Sequence, residues 1–104
     1  MVKAMEIEVK DNPAQHRFET TIEGHTAFIA YKLRPGVITV LHTEVPKELE
    51  GRGIAGAMTK YVLDYIATNN LQLVPLCPYM RVYLKKHPEY QHLVKKEAAK
   101  GFEL

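Results

Sequence analysis

The chain has 104 residues, of which 46% are hydrophobic and 25% are charged, a balance typical of one ordinary globular domain. Fourteen basic residues stand against 12 acidic ones, and the formal net charge of +2 is too small to indicate a nucleic-acid-binding protein. The single cysteine excludes an internal disulfide framework and a multi-cysteine zinc site.

The sequence predicts a cytoplasmic protein without a membrane association. Its first six residues lack the apolar run of a secretory signal. The longest uncharged stretch, residues 65–80, contains two prolines and is too short to span a bilayer. We expect residues 1–94 to form a single domain and residues 95–104 to form a polar C-terminal tail.

The first half of the chain predicts an antiparallel β-sheet. Apolar and polar residues alternate there with a period of two, which is typical of strands with one buried face. Segments rich in glycine, proline and asparagine separate these runs and favour tight turns. We predict four strands, over residues 5–9, 16–22, 26–33 and 37–45.

The second half changes to helical spacing. Apolar residues recur at intervals of three and four from Ile54 to Ile66 and predict an amphipathic helix. The strands before and after this helix should run parallel, which predicts an α+β domain with a mixed, mostly antiparallel sheet. We predict a helix from residue 54 to the asparagines at 69 and 70, a strand over 71–76, a second helix over 78–86, and a turn or short strand over 88–94.

A glycine-rich turn joins the fourth predicted strand to the first helix. Gly51, Gly53 and Gly56 belong to it, and small residues let backbone amides approach a ligand closely. The first amides of a helix lack intrahelical partners and lie at the positive end of the helix dipole, so they favour a phosphate or pyrophosphate. Arg52 would add a mobile positive charge. The alternative is that the glycines only allow the strand and the helix to pack closely.

This turn and its surroundings resemble the GNAT superfamily of N-acetyltransferases. The cofactor motif of that superfamily, Arg/Gln-x-x-Gly-x-Gly/Ala, lies between a strand and a helix, and it reads Glu50-Gly51-Arg52-Gly53-Ile54-Ala55 in this chain. Gly53 and Ala55 occupy the two small positions, whereas Glu50 stands where an arginine or glutamine is expected. The resemblance covers roughly residues 26–94 and implies the GNAT-like acyl-CoA N-acyltransferase fold.

The chain is also similar to a minimal group of that superfamily, single domains of about this length. Those proteins carry a histidine on the strand before the turn and a cysteine just before the second helix, where this chain has His42 and Cys77. The resemblance implies an enzyme that uses acetyl-CoA and acetylates an amine: a protein lysine, an N-terminus or a small amine. The remaining histidines show no metal-ligand spacing, so we predict no metal.

The resemblance also implies where acetyl-CoA binds. In GNAT folds the pantetheine arm lies beside the central strand and makes strand-like hydrogen bonds to it, and the diphosphate lies at the glycine-rich turn. A tyrosine on the second helix often protonates the departing sulfur, a role that Tyr79 or Tyr83 would suit unless both only pack. We expect the cofactor-binding residues to be Thr43, Val45, Glu50, Gly51, Arg52, Gly53, Ile54, Ala55, Gly56 and Tyr83.

His42 and Glu44 are two of three candidate catalytic residues. Strict alternation places His42 on the strand face of Ile38 and Val40. Its imidazole would accept the proton of the amine, or it is a core or edge histidine satisfied by one hydrogen bond. Glu44 would orient His42, hold a water or attract the amine, or it is a solvated carboxylate at the strand end.

Cys77 is the third candidate. It precedes a predicted helix, where a thiolate is favoured, and a nearby His42 would let it accept the acetyl group first. The alternatives are an inert buried thiol, or a thiol that lines the site or protonates the leaving thiolate. We expect direct transfer to the amine. Because Glu50 departs from the motif and the chain is short, the alternative function is a catalytically silent CoA-binding or protein-interaction module.

Overall fold

The strands form where buried and exposed side chains alternate. In the computed structural model, which describes residues 7–96, Phe18 and Ile29 are fully buried while the residues beside them in sequence are at least partly exposed. The structure contains strands β1 (Lys10–Asn12), β2 (Arg17–Ile22), β3 (His25–Arg34), β4 (Val37–Glu44) and β5 (Gln72–Pro75).

The five strands form one sheet in chain order. Strands β1 to β4 pair antiparallel, whereas β5 pairs parallel with β4. Helix α1 (Ile54–Thr68) connects β4 to β5, and helix α2 (Pro78–Lys86) follows β5. The α+β class, the mostly antiparallel sheet and the β-loop-α-β unit are therefore confirmed.

The first strand differs from its prediction. Residues 7–9 are not in a strand, and residues 5 and 6 lie outside the described residues. The strand instead includes Asp11 and Asn12, which the sequence predicted as part of a turn. Asp11 lies opposite Phe18, and its carboxylate accepts a hydrogen bond of 2.6 Å from the hydroxyl of Tyr31. Contacts to the neighbouring strands thus determine where this edge strand lies.

Both helices pack against one face of the sheet, and the core lies between them and the strands. The ring of Phe18 lies 5.1 Å from the rings of both Tyr31 and Tyr65 of α1. Each large apolar side chain buried here stabilises the fold by about 1.5–3 kcal/mol. The fully buried large side chains of the helices are Ile54, Met58, Val62, Leu63, Ile66, Met80 and Leu84.

The described chain ends against the free edge of β5. Residues Pro88–Leu93 form a 3-10 helix, and Val94 then makes a parallel bridge to Leu73. The amide of Lys95 donates to the carbonyl of Leu73 at 2.8 Å. Most of the predicted tail, residues 97–104, lies outside the described residues.

Candidate functional site

The two parallel strands pair along only half of β4. Pairing runs from Val37 opposite Gln72 to Val40 opposite Pro75. The carbonyl of Val40 then accepts hydrogen bonds of 3.0 Å from the amides of both Leu76 and Cys77, where the chain leaves the sheet. Beyond Val40, β3 is the one described strand that pairs with β4, so residues 41–44 present an open backbone edge.

A β-bulge at Leu41 reverses the side chains that follow it. Tyr31 pairs with Val40, but Ala30 pairs with His42, so Leu41 is an extra residue in β4. Because paired residues share a face, Val40 points with Tyr31 toward the helices, whereas His42 points with Ala30 away from them. The prediction that His42 shares the face of Val40 is therefore wrong, since regular alternation takes no account of a bulge.

His42 belongs to a row of side chains on the face turned away from the helices, which we call the open face: Arg17, Phe28, Ala30, His42 and Glu44. Its Nε2 lies 3.3 Å from a carboxylate oxygen of Glu44, and both side chains are more than half exposed. The ring of Phe28 lies 5.6 Å from the imidazole of His42. The guanidinium of Arg17 lies 4.5 Å from the centre of the Phe28 ring. Glu44 is thus close enough to orient His42.

Cys77 lies on the opposite side of β4, toward the helices. It is 1% exposed, and its Sγ lies 3.3 Å from the hydroxyl oxygen of Thr43. Thr43 pairs with the buried Ile29, which identifies its face as the one covered by the helices. The structure therefore brings Cys77 to Thr43, and the predicted pair of Cys77 with His42 does not form.

The glycine-rich turn leads directly into α1. Gly51 and Gly53 have φ angles of 82° and 74°, in the left-handed region that favours glycine. Gly53 is the N-terminal cap of α1 and has no side chain to accept a hydrogen bond. The amides of residues 54–56 therefore have no carbonyl in a preceding helical turn to which they can donate. The helix dipole adds positive potential at this end of α1.

A groove of about 170 Å³ lies over this turn, and its lining brings together seven of the predicted cofactor residues. A Cβ added at Gly51 or Gly53 would meet no atom within 4 Å, so the space above the turn is open. Small side chains, free amides and an open strand edge fit a diphosphate with a linear arm. The lining residues are Val45, Leu49, Glu50, Gly51, Gly53, Ile54, Ala55, Gly56 and Tyr79.

Two of the other predicted cofactor residues have different contacts. Arg52 donates a hydrogen bond of 3.0 Å to Glu23, in the turn between β2 and β3. This bond and the attraction between the charges raise the pKa of Arg52 and lower the pKa of Glu23. Tyr83 stacks on His87, with ring centroids 4.0 Å apart. Neither residue belongs to the groove lining.

Tyr79 is the tyrosine that reaches the groove. Its hydroxyl lies 3.4 Å from the position that a Cβ would take on Gly56. Burial raises the pKa of Tyr79, and the nearby Cys77 raises it further. Regular helical spacing made Tyr79 and Tyr83 equal candidates, and only the packing of α2 against α1 distinguishes them.

Larger cavities lie elsewhere. One, of about 560 Å³, lies beside β1 and includes the acidic residues Glu8, Asp11 and Glu19 in its lining. A second, of about 510 Å³, includes Leu33 and Leu41, and a third, of about 290 Å³, includes Leu71 and His92. The smaller groove is the better candidate site because it combines unpaired helix amides with the open edge of β4.

Residues 7–96 contain no group of three or more histidine, cysteine, aspartate or glutamate side chains that would hold a metal ion. Within the same range, none of the helices has the length and apolar character needed to cross a membrane.

The chain is similar to proteins of one family. Residues 17–93 match the family model described as GCN5-related N-acetyl-transferase. Protein NATD1 of Gallus gallus is 30% identical over 90 residues, which cover 84% of this chain and 82% of that protein. Protein NATD1 of Homo sapiens is 37% identical over 57 residues, which cover 55% of this chain and 50% of that protein.

A solved structure has the same fold. It is the solution structure of a "GCN5-like putative N-acetyltransferase" from Staphylococcus aureus. It superposes with a TM-score of 0.65 at 26% sequence identity, and the alignment covers 85% of this chain and 87% of that one.

Proposed function

We propose that this chain, which belongs to the GCN5-related N-acetyltransferase family, transfers the acetyl group of acetyl-CoA directly to an amine. The observation that carries the proposal is the groove lined by the first turn of α1 and by Val45, which directly follows the open edge of β4. The acceptor is a protein lysine, an N-terminus or a small amine. A cytoplasmic location remains a prediction.

The groove has the chemistry to hold the cofactor. The amides of Ile54, Ala55 and Gly56 would bind the diphosphate, and the open edge of residues 41–44 would bind the pantetheine arm. A backbone amide of that edge would stabilise the carbonyl oxygen as it becomes negative. When bound, acetyl-CoA supplies an activated thioester.

The side chains around β4 would move the protons. His42, which Glu44 orients from 3.3 Å away, would accept a proton from the amine. The amine nitrogen forms its bond to the acetyl carbon as this proton leaves. As the carbon–sulfur bond breaks, Tyr79 at the groove, or the buried Cys77 beside Thr43, would supply a proton to the sulfur. Direct transfer needs no bond between the acetyl group and Cys77.

A thermal melt with coenzyme A tests the binding part of the proposal. We expect coenzyme A at 100 times its Kd to stabilise the protein by about 2.7 kcal/mol. Gly53→Glu should abolish this stabilisation, because it adds bulk and negative charge where the diphosphate would lie.

Gly36→Glu is the matched control, since Gly36 has a φ of 76° and equally open surroundings in the turn between β3 and β4. It introduces the same charge and similar backbone strain away from the groove, and should retain the stabilisation. Normal coenzyme A binding by Gly53→Glu would show that the site is assigned wrongly.

A catalytically silent CoA-binding module is the second candidate. The observation that favours it is the separation of His42 and Cys77 by β4, together with the engagement of Arg52 by Glu23. A silent module would be stabilised by coenzyme A and would release none from acetyl-CoA with any member of a panel of amines. Release of coenzyme A with one amine would support the enzyme.

A further inference from the structure

A row of three aromatic rings runs along α2, beginning at the groove. The ring centroids of Tyr79 and Tyr83 are 6.5 Å apart, and those of Tyr83 and His87 are 4.0 Å apart with the ring planes 23° from parallel. We propose that the Tyr83–His87 stack binds the adenine of coenzyme A. The inference rests on the proposed function, because it assigns a place to the far end of the same ligand.

The packing of the core accounts for only part of this row, because Tyr83 is partly buried against the core whereas Tyr79 is more exposed. Helix α2 buries Met80 and Leu84 completely, and these residues attach it to the core. The row lies at other positions, with Tyr79 41% exposed and the His87 side chain 39% exposed. Partly exposed rings at successive turns offer aromatic surface to a planar ligand, and stacking needs no particular hydrogen-bonding pattern.

The position of the row suits the length of the ligand. The hydroxyl of Tyr79 lies beside Gly56, in the turn of α1 where the diphosphate would bind. Tyr83 follows one helical turn later, about 6 Å farther along α2. In coenzyme A a ribose joins the diphosphate to the adenine, and a ribose spans a comparable distance. An adenine that extends along α2 therefore reaches Tyr83.

The local charges are compatible with an uncharged base. His87 Nδ1 lies 3.6 Å from a carboxylate oxygen of Glu89, and both side chains are exposed. Lys60, on the neighbouring α1, forms an ion pair of 2.9 Å with Asp64. Lys85 and Lys86, in the last turn of α2, add positive charge near the stack, which does not oppose the binding of an uncharged base.

Calorimetric titration with two ligands tests the inference. Coenzyme A contains the adenine, whereas 4′-phosphopantetheine has the same arm but lacks the adenosine 3′,5′-bisphosphate unit, which includes the adenine and one phosphate of the diphosphate. We expect the wild type to bind coenzyme A more tightly. Tyr83→Ala should weaken coenzyme A binding by about tenfold or more and leave 4′-phosphopantetheine binding unchanged, because stacking contributes about 1–3 kcal/mol per base.

Companion variants separate stacking from folding. Tyr83→Phe should bind both ligands like the wild type, and Tyr83→Leu, which keeps apolar bulk, should lose the same affinity as Tyr83→Ala. Val82→Ala, on the same helix and 52% exposed in the parent, should change neither affinity. A ligand-free melt of each variant identifies any that does not fold.

The outcomes distinguish the two proposals. Equal weakening of both ligands by Tyr83→Leu, or no weakening of either, would overturn the adenine site alone. Equal affinity of the wild type for coenzyme A and 4′-phosphopantetheine would also overturn the adenine site alone. A wild type that binds neither ligand would overturn the proposed function and the adenine site together.

Discussion

The two faces of β4 carry different candidate chemistry. On the face toward the helices, Thr43 contacts the buried Cys77. On the open face, His42 and Glu44 form a largely exposed pair beside Phe28. The residues that would accept the proton of the amine are therefore separated by the sheet from the thiol.

A single extra residue produces this division. Without the bulge at Leu41, alternation would place His42 with Val40 on the face toward the helices. Because of this separation, a variant can alter one face of β4 without the other. A variant on the open face tests proton transfer from the amine, and a variant on the face toward the helices tests the role of the thiol.

The largest effect is expected on the open face. His42→Ala removes the base and should lower kcat/KM for acetyl transfer by about 100-fold or more, with the stabilisation by coenzyme A retained. Glu44→Gln should lower kcat/KM less, since this substitution removes only the charge that orients the imidazole. Steady-state rates with an amine acceptor provide the measurement. A His42→Ala variant with wild-type rates would remove the open face from the reaction.

A smaller effect is expected on the face toward the helices. Cys77→Ala removes a thiol that contacts Thr43 but carries no acetyl group in direct transfer. We expect a loss of less than about tenfold in kcat, below the factor of about 100 or more that is typical of losing a general acid or base, and no acetylated Cys77 in the wild type by mass spectrometry during turnover. An acetyl adduct that forms and decays at the turnover rate would instead require a two-step reaction.

The smallest effect concerns the ion pair between the hairpin and the glycine-rich turn. Arg52 lowers the pKa of Glu23 below its ordinary value of 4.5, mainly through their hydrogen bond. The stability from this pair is present above about pH 4.5 and is lost as the pH falls through the lowered folded-state pKa. Glu23→Gln should therefore lower the melting temperature slightly at neutral pH and make less difference at acid pH, where the pair is already lost.

Arg52→Gln should have the same effect as Glu23→Gln, and the double variant should lose no more than either single one. The test is the melting temperature measured between pH 3 and pH 7, a range that includes the ordinary pKa of a carboxyl group. Strictly additive losses would show that the two side chains do not interact in solution.

Local patterns in the chain predicted most of the fold and much of the groove. The period of two indicated β2, β3 and β4, the helical spacing indicated α1, and the glycines at 51 and 53 indicated a turn with open backbone. These predictions succeeded because each depends on neighbouring residues that share one element. The first strand was misplaced because a short edge strand depends on its partners.

The division of the site could not be predicted in the same way. The bulge at Leu41 becomes visible only when β4 is paired with β3, because it is a difference in register between two strands. The pairing of Arg52 with Glu23 and the approach of Tyr79 to Gly56 join residues that are distant in sequence.

The sequence alone determined the class of fold, the order of its elements and the position of a glycine-rich turn before a helix, because backbone preference and hydrophobic periodicity act over a few neighbouring residues. The tertiary structure decided which face of β4 each candidate side chain occupies and which tyrosine reaches the groove. Those choices depend on strand register and helix packing, which are set only when separate segments compete for the same space.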